Sequence, residues 1–249
     1  MAQDKKSFVF GIHTVLETLR SGKAIEKIFV LKTLRNDSSK EIVKLAHERD
    51  IPLSFVPNEK LSRITRKIHQ GVICFVSPIH YAPIENVVAG IFEKGENPFI
   101  VILDGVTDVR NFGAIARTAE CAGAHAIIIP NKNSAQVNED AMKTSVGAFN
   151  FLPVCRVDSL RSAIDYLQQS GLQVIACTEK ASNGVYDLDY TIPTAIVMGS
   201  EETGISNEVR KVADDEVKIP ILGEISSLNV SVATSIVSYE IVRQRSLQD

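Results

Sequence analysis

An asparagine, a glycine and an arginine follow the pattern N-x-G-x-x-x-R at Asn111, Gly113 and Arg117. A side-chain amide orients a hydroxyl group by hydrogen bonding, and a guanidinium donates in a fixed fork to phosphate and other oxyanions. The motif follows a buried apolar strand, and the carboxyl ends of such strands are where open α/β sheets bind ligands. We expect Asn111 to precede a helix that begins at Ala114, with Arg117 about a turn and a half into it. For each residue alone, a helix cap and an exposed helical arginine remain the simpler interpretation.

Two further polar segments occur later in the chain. Gly199 and Glu201 follow an apolar run. A glycine at this position lets a ligand approach the backbone closely. The carboxylate of Glu201 can hold a neighbouring side chain or face a cation. Residues 226–231 read Ser-Ser-Leu-Asn-Val-Ser, which places Ser227 and Asn229 just before an amphipathic helical pattern. Alone, the first segment is typical of a turn and the second of a packing helix.

The elements that position these motifs are predicted by hydrophobic patterning. Near-continuous apolar runs are typical of strands buried on both faces of a parallel sheet. They occur at 99–103, 126–129, 173–176 and 195–198. Helical patterns occur at 114–122, 159–169, 207–212 and 229–245. The alternation predicts an α/β fold with a parallel sheet, in which ligands bind at the carboxyl ends of the strands.

A smaller α/β unit is predicted before this one. Its strands are expected at 27–31, 52–56 and 71–76, and its helix at 38–50. Three prolines lie in the following segment, at Pro78, Pro83 and Pro98. We therefore expect a domain over 1–80, a linker over 81–97 and a second domain over 98–249. A short helix near 84–92 belongs either to the linker or to the second domain.

Charge is unevenly distributed between the two predicted domains. Residues 1–80 carry 14 lysines and arginines against 8 acidic residues, a net charge of +6, whereas the remainder carries 13 against 22, a net of −9. A basic domain attracts polyanions such as RNA. An ordinary solvated surface explains the same charge equally well.

Composition and missing motifs exclude several classes of protein. The chain has 249 residues, 45% hydrophobic and 23% charged, and no apolar run of the roughly 20 residues that a membrane helix needs. We expect a cytoplasmic protein. Its four cysteines and five histidines show no ligand spacing, so we also expect buried free thiols and no bound metal. The glycine loop from Gly199 to Gly204 lacks the lysine of a P-loop, and no G-x-G-x-x-G or G-x-S-x-G motif occurs.

In this order, the three motifs resemble the signature motifs of the TrmH-type (SpoU) branch of the SPOUT methyltransferases. These enzymes transfer a methyl group from S-adenosylmethionine to a ribose 2′-hydroxyl in tRNA or rRNA. The resemblance covers residues 98–249. Gly11-Ile-His13 before a helix, and His69-Gln-Gly71 before a strand, resemble the RNA-binding domain of the RlmB-type 23S rRNA guanosine-2′-O-methyltransferases. That domain is similar to small ribosomal proteins that bind kinked RNA.

The resemblance implies roles for the polar residues. Arg117 would be the catalytic residue. Because a guanidinium is a poor base, we expect it to bind the adjacent phosphate and stabilise the developing 2′-oxyanion. Asn111 would position the ribose or Arg117, and Glu201 would orient Arg117 within one chain or across a dimer. Ser227 and Asn229 would hydrogen-bond substrate or cofactor.

The resemblance also implies a deep trefoil knot, a homodimer that uses the helix after Leu228, and S-adenosylmethionine as cofactor. The implied cofactor contacts are Thr178, Met198, Gly199, Ile219, Pro220 and Leu228. Candidate phosphate contacts for a structured RNA are Lys27, Lys32, Arg35, Arg63, Arg66 and Lys67.

Three alternatives to a 23S rRNA methyltransferase stay open. One is a ribose methyltransferase that acts on tRNA, although the additional N-terminal domain favours rRNA. Another is an RNA-binding relative without catalysis, which the intact Asn111, Arg117, Glu201 and Asn229 disfavour. A dinucleotide-dependent α/β enzyme is disfavoured by the missing glycine fingerprint.

Overall fold

The computed structural model describes residues 8–247. The chain separates into two compact units, of which the first ends at His80 and the second begins at Tyr81. A short segment, Val137–Glu139, groups with the first unit.

Over residues 8–80, the first unit is a four-stranded sheet with three helices. Its elements, in chain order, are β1 (Phe8–Phe10), α1 (Ile12–Arg20), β2 (Ile25–Leu31), α2 (Asp37–Glu48), β3 (Leu53–Val56), α3 (Asn58–Ile64) and β4 (Val72–Val76). The strand order is β1-β4-β2-β3, in which only β2 and β3 pair in parallel. α1 and α2 pack on one face through apolar residues such as Val15 and Ile42. α3 packs on the other face through Leu61.

The second unit is built on a seven-stranded parallel sheet. Its strands are β5 (Phe99–Asp104), β6 (Ala126–Pro130), β7 (Val154–Val157), β8 (Gln173–Cys177), β9 (Asn183–Gly184), β10 (Thr194–Gly199) and β11 (Asp215–Lys218). They stand in the order β7-β6-β5-β10-β8-β11-β9, and every neighbouring pair is parallel. The structure thus confirms the predicted α/β fold, with a small α/β domain before a parallel sheet.

Helices cover both faces of this sheet. They are α4 (Ile84–Glu93), α5 (Val109–Cys121), α6 (Glu139–Thr144), α7 (Leu160–Gln169), α8 (Asn207–Arg210) and α9 (Val230–Arg245), with a 3-10 turn at Ala148–Asn150. Ile102 and Val197 pack with α4, α7 and α8 on one face. Their neighbours Val101 and Ile196 point to the other face and are equally buried. Burial on both faces explains why these strands are continuous apolar runs.

Most predicted elements are present, and the differences have local causes. The helix expected from Ala114 begins at Val109, because Asp108 caps it by accepting hydrogen bonds from backbone amides. The helix expected over 207–212 ends at Arg210. The expected linker over 81–97 contains α4, whose Ile84 and Val88 belong to the core of the second unit.

The cysteines do not all behave as expected. Cys74 and Cys155 are buried, but Cys121 is exposed at the end of α5, so the expectation of buried thiols is wrong there. In the described range, no group of three or more histidine, cysteine, aspartate or glutamate side chains is arranged to hold a metal ion. Residues 8–247 also contain no helix that is both long enough and apolar enough to span a membrane.

Candidate active site

Two central strands bring the first two motifs together. β5 and β10 are neighbours in register, with Leu103 opposite Met198 and Asp104 opposite Gly199. Their carboxyl ends therefore lie side by side. The chain continues from β5 into α5 and from β10 into the loop that carries Glu201. This is the edge at which open parallel sheets bind ligands.

A hydrogen-bond cluster joins all three motifs at this edge. One oxygen of Glu201, Oε1, accepts from the Nδ2 atoms of Asn111, at 3.3 Å, and of Asn229. Asn229 Nδ2 also donates to Asn111 Oδ1 at 3.1 Å. The backbone N–H of Val230 donates to the same Glu201 oxygen at 3.4 Å. The carboxylate thus stands at the amino terminus of α9, where a negative charge is favourable.

Each member of the cluster is held by its own element. Asn111 lies in the first turn of α5, not before the helix as expected, because Asp108 supplies the cap. Its side chain is therefore available to Glu201. Asn229 caps α9, where its Oδ1 accepts from Ser231 N at 3.0 Å and from Ser231 Oγ at 2.6 Å. The cap fixes the amide so that its Nδ2 points at Glu201 and Asn111.

Arg117 stands apart from this cluster. It follows Asn111 by six residues in α5, which turns it about 120° around the helix axis. Its side chain is exposed, and within residues 8–247 it forms no ion pair or side-chain hydrogen bond. The expected contact between Glu201 and Arg117 is therefore missing from the described part of this single chain.

The glycine of the first motif has a packing role. A Cβ atom on Gly113 would lie 2.8 Å from the Ala141 carbonyl oxygen and 2.8 Å from Thr144 Cβ. Only a glycine lets α6 approach α5 this closely. Gly199 is constrained in a similar way, since its Cβ would lie 2.3 Å from the carbonyl carbon of Gly204. The close approach at Gly199 is thus made by its own loop.

A cavity of about 370 Å³ opens beside the cluster, at the carboxyl ends of β8, β10 and β11. This volume falls within the roughly 300–1,000 Å³ of small-molecule sites. Five expected cofactor contacts line it: Thr178, Met198, Gly199, Ile219 and Leu228. Glu201 and Ser227 also line it, whereas Pro220, Asn111, Arg117 and Asn229 are outside the lining formed by the described residues.

The cavity wall includes residues that sequence reasoning missed. Cys177 precedes the expected Thr178, and Glu179 and Lys180 follow it. The rule that ligands bind at strand carboxyl ends would have found all three. Ala233 and Val237 contribute from α9, one and two turns after Asn229. Burial raises the pKa of the Cys177 thiol to about 12, so the wall presents a neutral sulfur there.

The candidate RNA contacts all belong to the first unit. Lys27 is partly buried, with its Nζ atom 5.1 Å from the ring centroids of both Phe29 and Phe75. The other five side chains are exposed: Lys32, Arg35, Arg63, Arg66 and Lys67.

Comparison with known families adds the decisive observation. Residues 98–239 match the SpoU rRNA methylase family. The chain belongs to the SpoU rRNA methylase family. Residues 8–82 match the model for RNA 2′-O ribose methyltransferase substrate binding. These two matches confirm the resemblance noted in the motifs.

Full-length relatives of this SpoU methylase are known. It is 37% identical over 241 residues to the 23S rRNA (guanosine-2′-O-)-methyltransferase RlmB of Photobacterium profundum, covering 96% of this chain and 98% of that protein. It is 33% identical over 238 residues to YacO of Bacillus subtilis, assigned to the TrmH family of tRNA/rRNA methyltransferases, covering 96% of both chains. A crystal structure of an AdoMet-bound rRNA methyltransferase from Sinorhizobium meliloti matches with a TM-score of 0.61 and 25% identity, over 95% of this chain and 86% of that one.

Proposed function

We propose that this protein transfers a methyl group from S-adenosylmethionine to a ribose 2′-hydroxyl in RNA, and that its substrate is a guanosine of 23S rRNA. The observation that carries the proposal is the cavity at the ends of β8, β10 and β11, which lies beside the Asn111–Glu201–Asn229 cluster. Membership of the SpoU family supports the reaction, and the similarity to RlmB supports the guanosine substrate.

The cavity suits S-adenosylmethionine chemically. Met198, Ile219 and Leu228 offer apolar contacts to a flat ring, while Thr178 and Ser227 offer hydrogen-bonding groups. Carboxylates in the lining match the positive charge of a sulfonium. When bound, the cofactor supplies an electrophilic methyl group. The chain itself must hold that group and the acceptor hydroxyl in line.

In the second domain, Arg117 contacts the RNA at the target ribose. Its exposed guanidinium donates to the phosphate beside the target ribose and stabilises negative charge on the 2′-oxygen. It does not remove the proton, because a guanidinium is a poor acceptor at neutral pH. Asn111 is a positioning residue: together with Glu201 and Asn229 it fixes the start of α5 relative to the cavity.

The basic first domain, over 1–80, provides affinity for structured RNA, and the second domain, over 98–249, provides catalysis. The substrate-binding match over 8–82 and the net charge of +6 over 1–80 support this division. Deleting 1–80 should weaken RNA binding and spare cofactor binding. Equal loss of both affinities would contradict the division. An RNA substrate of this kind also supports the expectation of a cytoplasmic protein.

The protein acts as a homodimer with a knotted second domain. Several apolar side chains between residues 221 and 239 are exposed in the single chain, which is typical of a surface that another molecule covers. They are Ile221, Leu222, Ile225, Val232 and Tyr239. The return of residues 219–228 to the end of β10, after β11, supports the knot. Sedimentation of the protein at several concentrations tests the dimer.

A tRNA substrate is the second candidate, because relatives such as YacO are assigned to tRNA or rRNA methylation. The deciding experiment measures transfer of labelled methyl from S-adenosylmethionine to purified 23S rRNA and to purified tRNA, with Arg117→Ala as control. One protected site in 23S rRNA, seen as resistance to alkaline cleavage, is the expected result. Transfer to tRNA alone would establish the second candidate. Cofactor and RNA binding without transfer to any RNA would indicate a relative without catalysis.

A further inference from the structure

Three phenylalanine rings form a continuous aromatic surface on the sheet of the first unit. The register pairs Phe8 with Phe75 across β1 and β4, and Phe10 with Ile73. Phe8, Phe10 and Phe75 therefore project from one face of the sheet. The ring centroids are 6.2 Å apart for Phe8 and Phe10 and 5.9 Å apart for Phe8 and Phe75. All three side chains are partly exposed, and we refer to them as the aromatic face.

Within residues 8–80, the helices of this unit cover the aromatic face only in part, since its three rings pack against the α3 cluster on one side and stay partly exposed. α1 and α2 pack on the opposite side of the sheet. α3 packs over the β2 side of the same face, where Leu61 is fully buried and Phe29 is 7% exposed. Phe29 meets Phe75 edge to face, with centroids 5.6 Å apart. The buried ring of Phe29 therefore packs directly against the partly exposed ring of Phe75.

Cations border the aromatic face. Lys27 lies in the same cross-strand row as Phe75, with its Nζ atom 5.1 Å from the ring centroid. Lys60 of α3 lies 4.7 Å from the centroid of Phe29. Residues 58–67 carry four basic side chains and one acidic side chain. Arg63, Arg66 and Lys67 among them are exposed.

We infer that the aromatic face binds unpaired bases of the RNA substrate by stacking, while the bordering cations contact the phosphates on either side of those bases. This inference rests on the proposed function as an RNA methyltransferase. Sequence-tolerant binding of single strands commonly combines aromatic platforms with a basic groove, and four-stranded sheets can carry such platforms. A second copy of this chain is a poorer occupant, because the same cations would border the face in both copies.

The test measures binding of the full-length protein to a short single-stranded RNA of mixed sequence. Phe8→Leu and Phe75→Leu remove a ring but keep an apolar side chain. We expect each to weaken binding about tenfold, which is the scale of one lost base stack. Phe75→Tyr keeps the ring and should bind nearly as the parent does. Phe55→Leu is the matched control, because Phe55 is 46% exposed and pairs with Val30, whose side chain packs on the opposite face.

An abasic version of the same RNA separates stacking from folding effects. The parent protein should bind it about tenfold more weakly than the normal RNA, and the leucine variants should lose little more. This comparison in the parent alone remains decisive if a leucine variant does not fold, which loss of the cooperative unfolding transition of the first unit would reveal. Equal affinity of the parent for both RNAs would overturn the inference, as would equal loss in Phe55→Leu and Phe75→Leu.

Methyl transfer distinguishes this inference from the proposed function. If the parent methylates rRNA and Phe8→Leu and Phe75→Leu keep its KM for RNA, stacking on this face is wrong and the proposed function stands. If the parent methylates no RNA but binds the abasic strand more weakly than the normal RNA, the stacking site stands and the proposed function is wrong. A change of sedimentation in the leucine variants, with unchanged RNA affinity, would assign the face to a second copy and overturn the inference.

Discussion

Asn229 donates its side-chain amide to the Oδ1 atom of Asn111 at 3.1 Å, although 118 residues separate the two in the chain. Both amides also donate to the same oxygen of Glu201. Asn111 lies in the first turn of α5 and Asn229 caps α9, so this contact fixes the starts of two helices relative to each other. Glu201 in turn lines the candidate cofactor cavity. The cluster therefore connects the position of α5, which carries Arg117, with the shape of the cavity.

Asn229→Ser should separate helix capping from this connection. Serine caps a helix about as well as asparagine, to within a few tenths of a kcal/mol, but it has no amide donor for Asn111 and Glu201. We expect the free energy of unfolding to fall by about 1 kcal/mol and methyl transfer in a single turnover to slow by about tenfold. Asn229→Ala also removes the cap and should lose about 1 kcal/mol more. Urea unfolding and single-turnover methylation measure the two effects.

Ser231→Ala is the matched control for that series. It removes only the hydroxyl that donates to Asn229 Oδ1 and leaves both Nδ2 contacts in place. Its methylation rate should stay close to that of the parent. A normal rate in Asn229→Ser would show that the cluster does not position the site.

Arg117→Ala should act on catalysis and leave cofactor affinity unchanged. Arg117 is exposed and does not line the cavity formed by the described residues. Loss of one charge-stabilising donor costs about 10²–10³ in rate, and we expect that decrease in single-turnover methylation of rRNA. Arg117→Lys keeps the charge but loses the fork, so its rate should be intermediate. Arg161→Ala, at an exposed arginine of α7, serves as control. A cofactor affinity that falls with the rate would contradict this role.

The sequence was informative where one property dominated the choice of residues. β5, β6, β8 and β10 are continuous apolar runs because the sheet is covered on both faces, and they were predicted. β11 was not, because its sequence Asp-Glu-Val-Lys is mainly charged, although its backbone pairs with both β8 and β9. Its formation depends on strands distant in the chain, which no local pattern reveals.

The motif residues were predicted, but their relations were not. The spacing N-x-G-x-x-x-R could not show that Asp108 caps α5. Nor could it show that the side chain of Asn111 therefore donates a hydrogen bond to Glu201. Glu201 was expected to orient Arg117, whereas within one chain it binds Asn111 and Asn229. These contacts among Asn111, Glu201 and Asn229 join residues 28 to 118 positions apart in the chain, so they follow from the arrangement of the strands.

Gly113→Ala should destabilise the second unit. The new Cβ would lie 2.8 Å from the Ala141 carbonyl oxygen, a backbone atom that moves only if α6 moves. We expect a loss of about 1–3 kcal/mol in the free energy of unfolding, as for other overpacked sites. Gly90→Ala is the matched control in α4, where a Cβ would meet nothing within 4 Å. That variant should gain about 0.5–1 kcal/mol from helix propensity. Urea unfolding of both variants checks the pair, and equal effects would contradict the packing role of Gly113.

His125 should make the stability of the second unit depend on pH. Burial lowers the pKa of His125 below 6.5, and this outweighs the opposing effect of the nearby Glu96. Its Nδ1 atom accepts a hydrogen bond from the backbone N–H of Phe99, at the start of β5, at 3.0 Å. Protonation of Nδ1 would break that bond.

The direction follows from the lowered pKa of His125. Just below pH 6.5 the unfolded chain binds a proton at this histidine more readily than the folded protein does, so stability rises with pH. The contribution is fully present above the unfolded pKa of about 6.5 and decreases as the pH falls towards the folded pKa. His125→Asn keeps an acceptor for the Phe99 amide without a titrating group. Lowering the pH from neutral to mildly acidic should therefore lower the Tm of the parent more than the Tm of the variant, as thermal unfolding at each pH would show. Parallel plots of Tm against pH for the two proteins would contradict this role of His125.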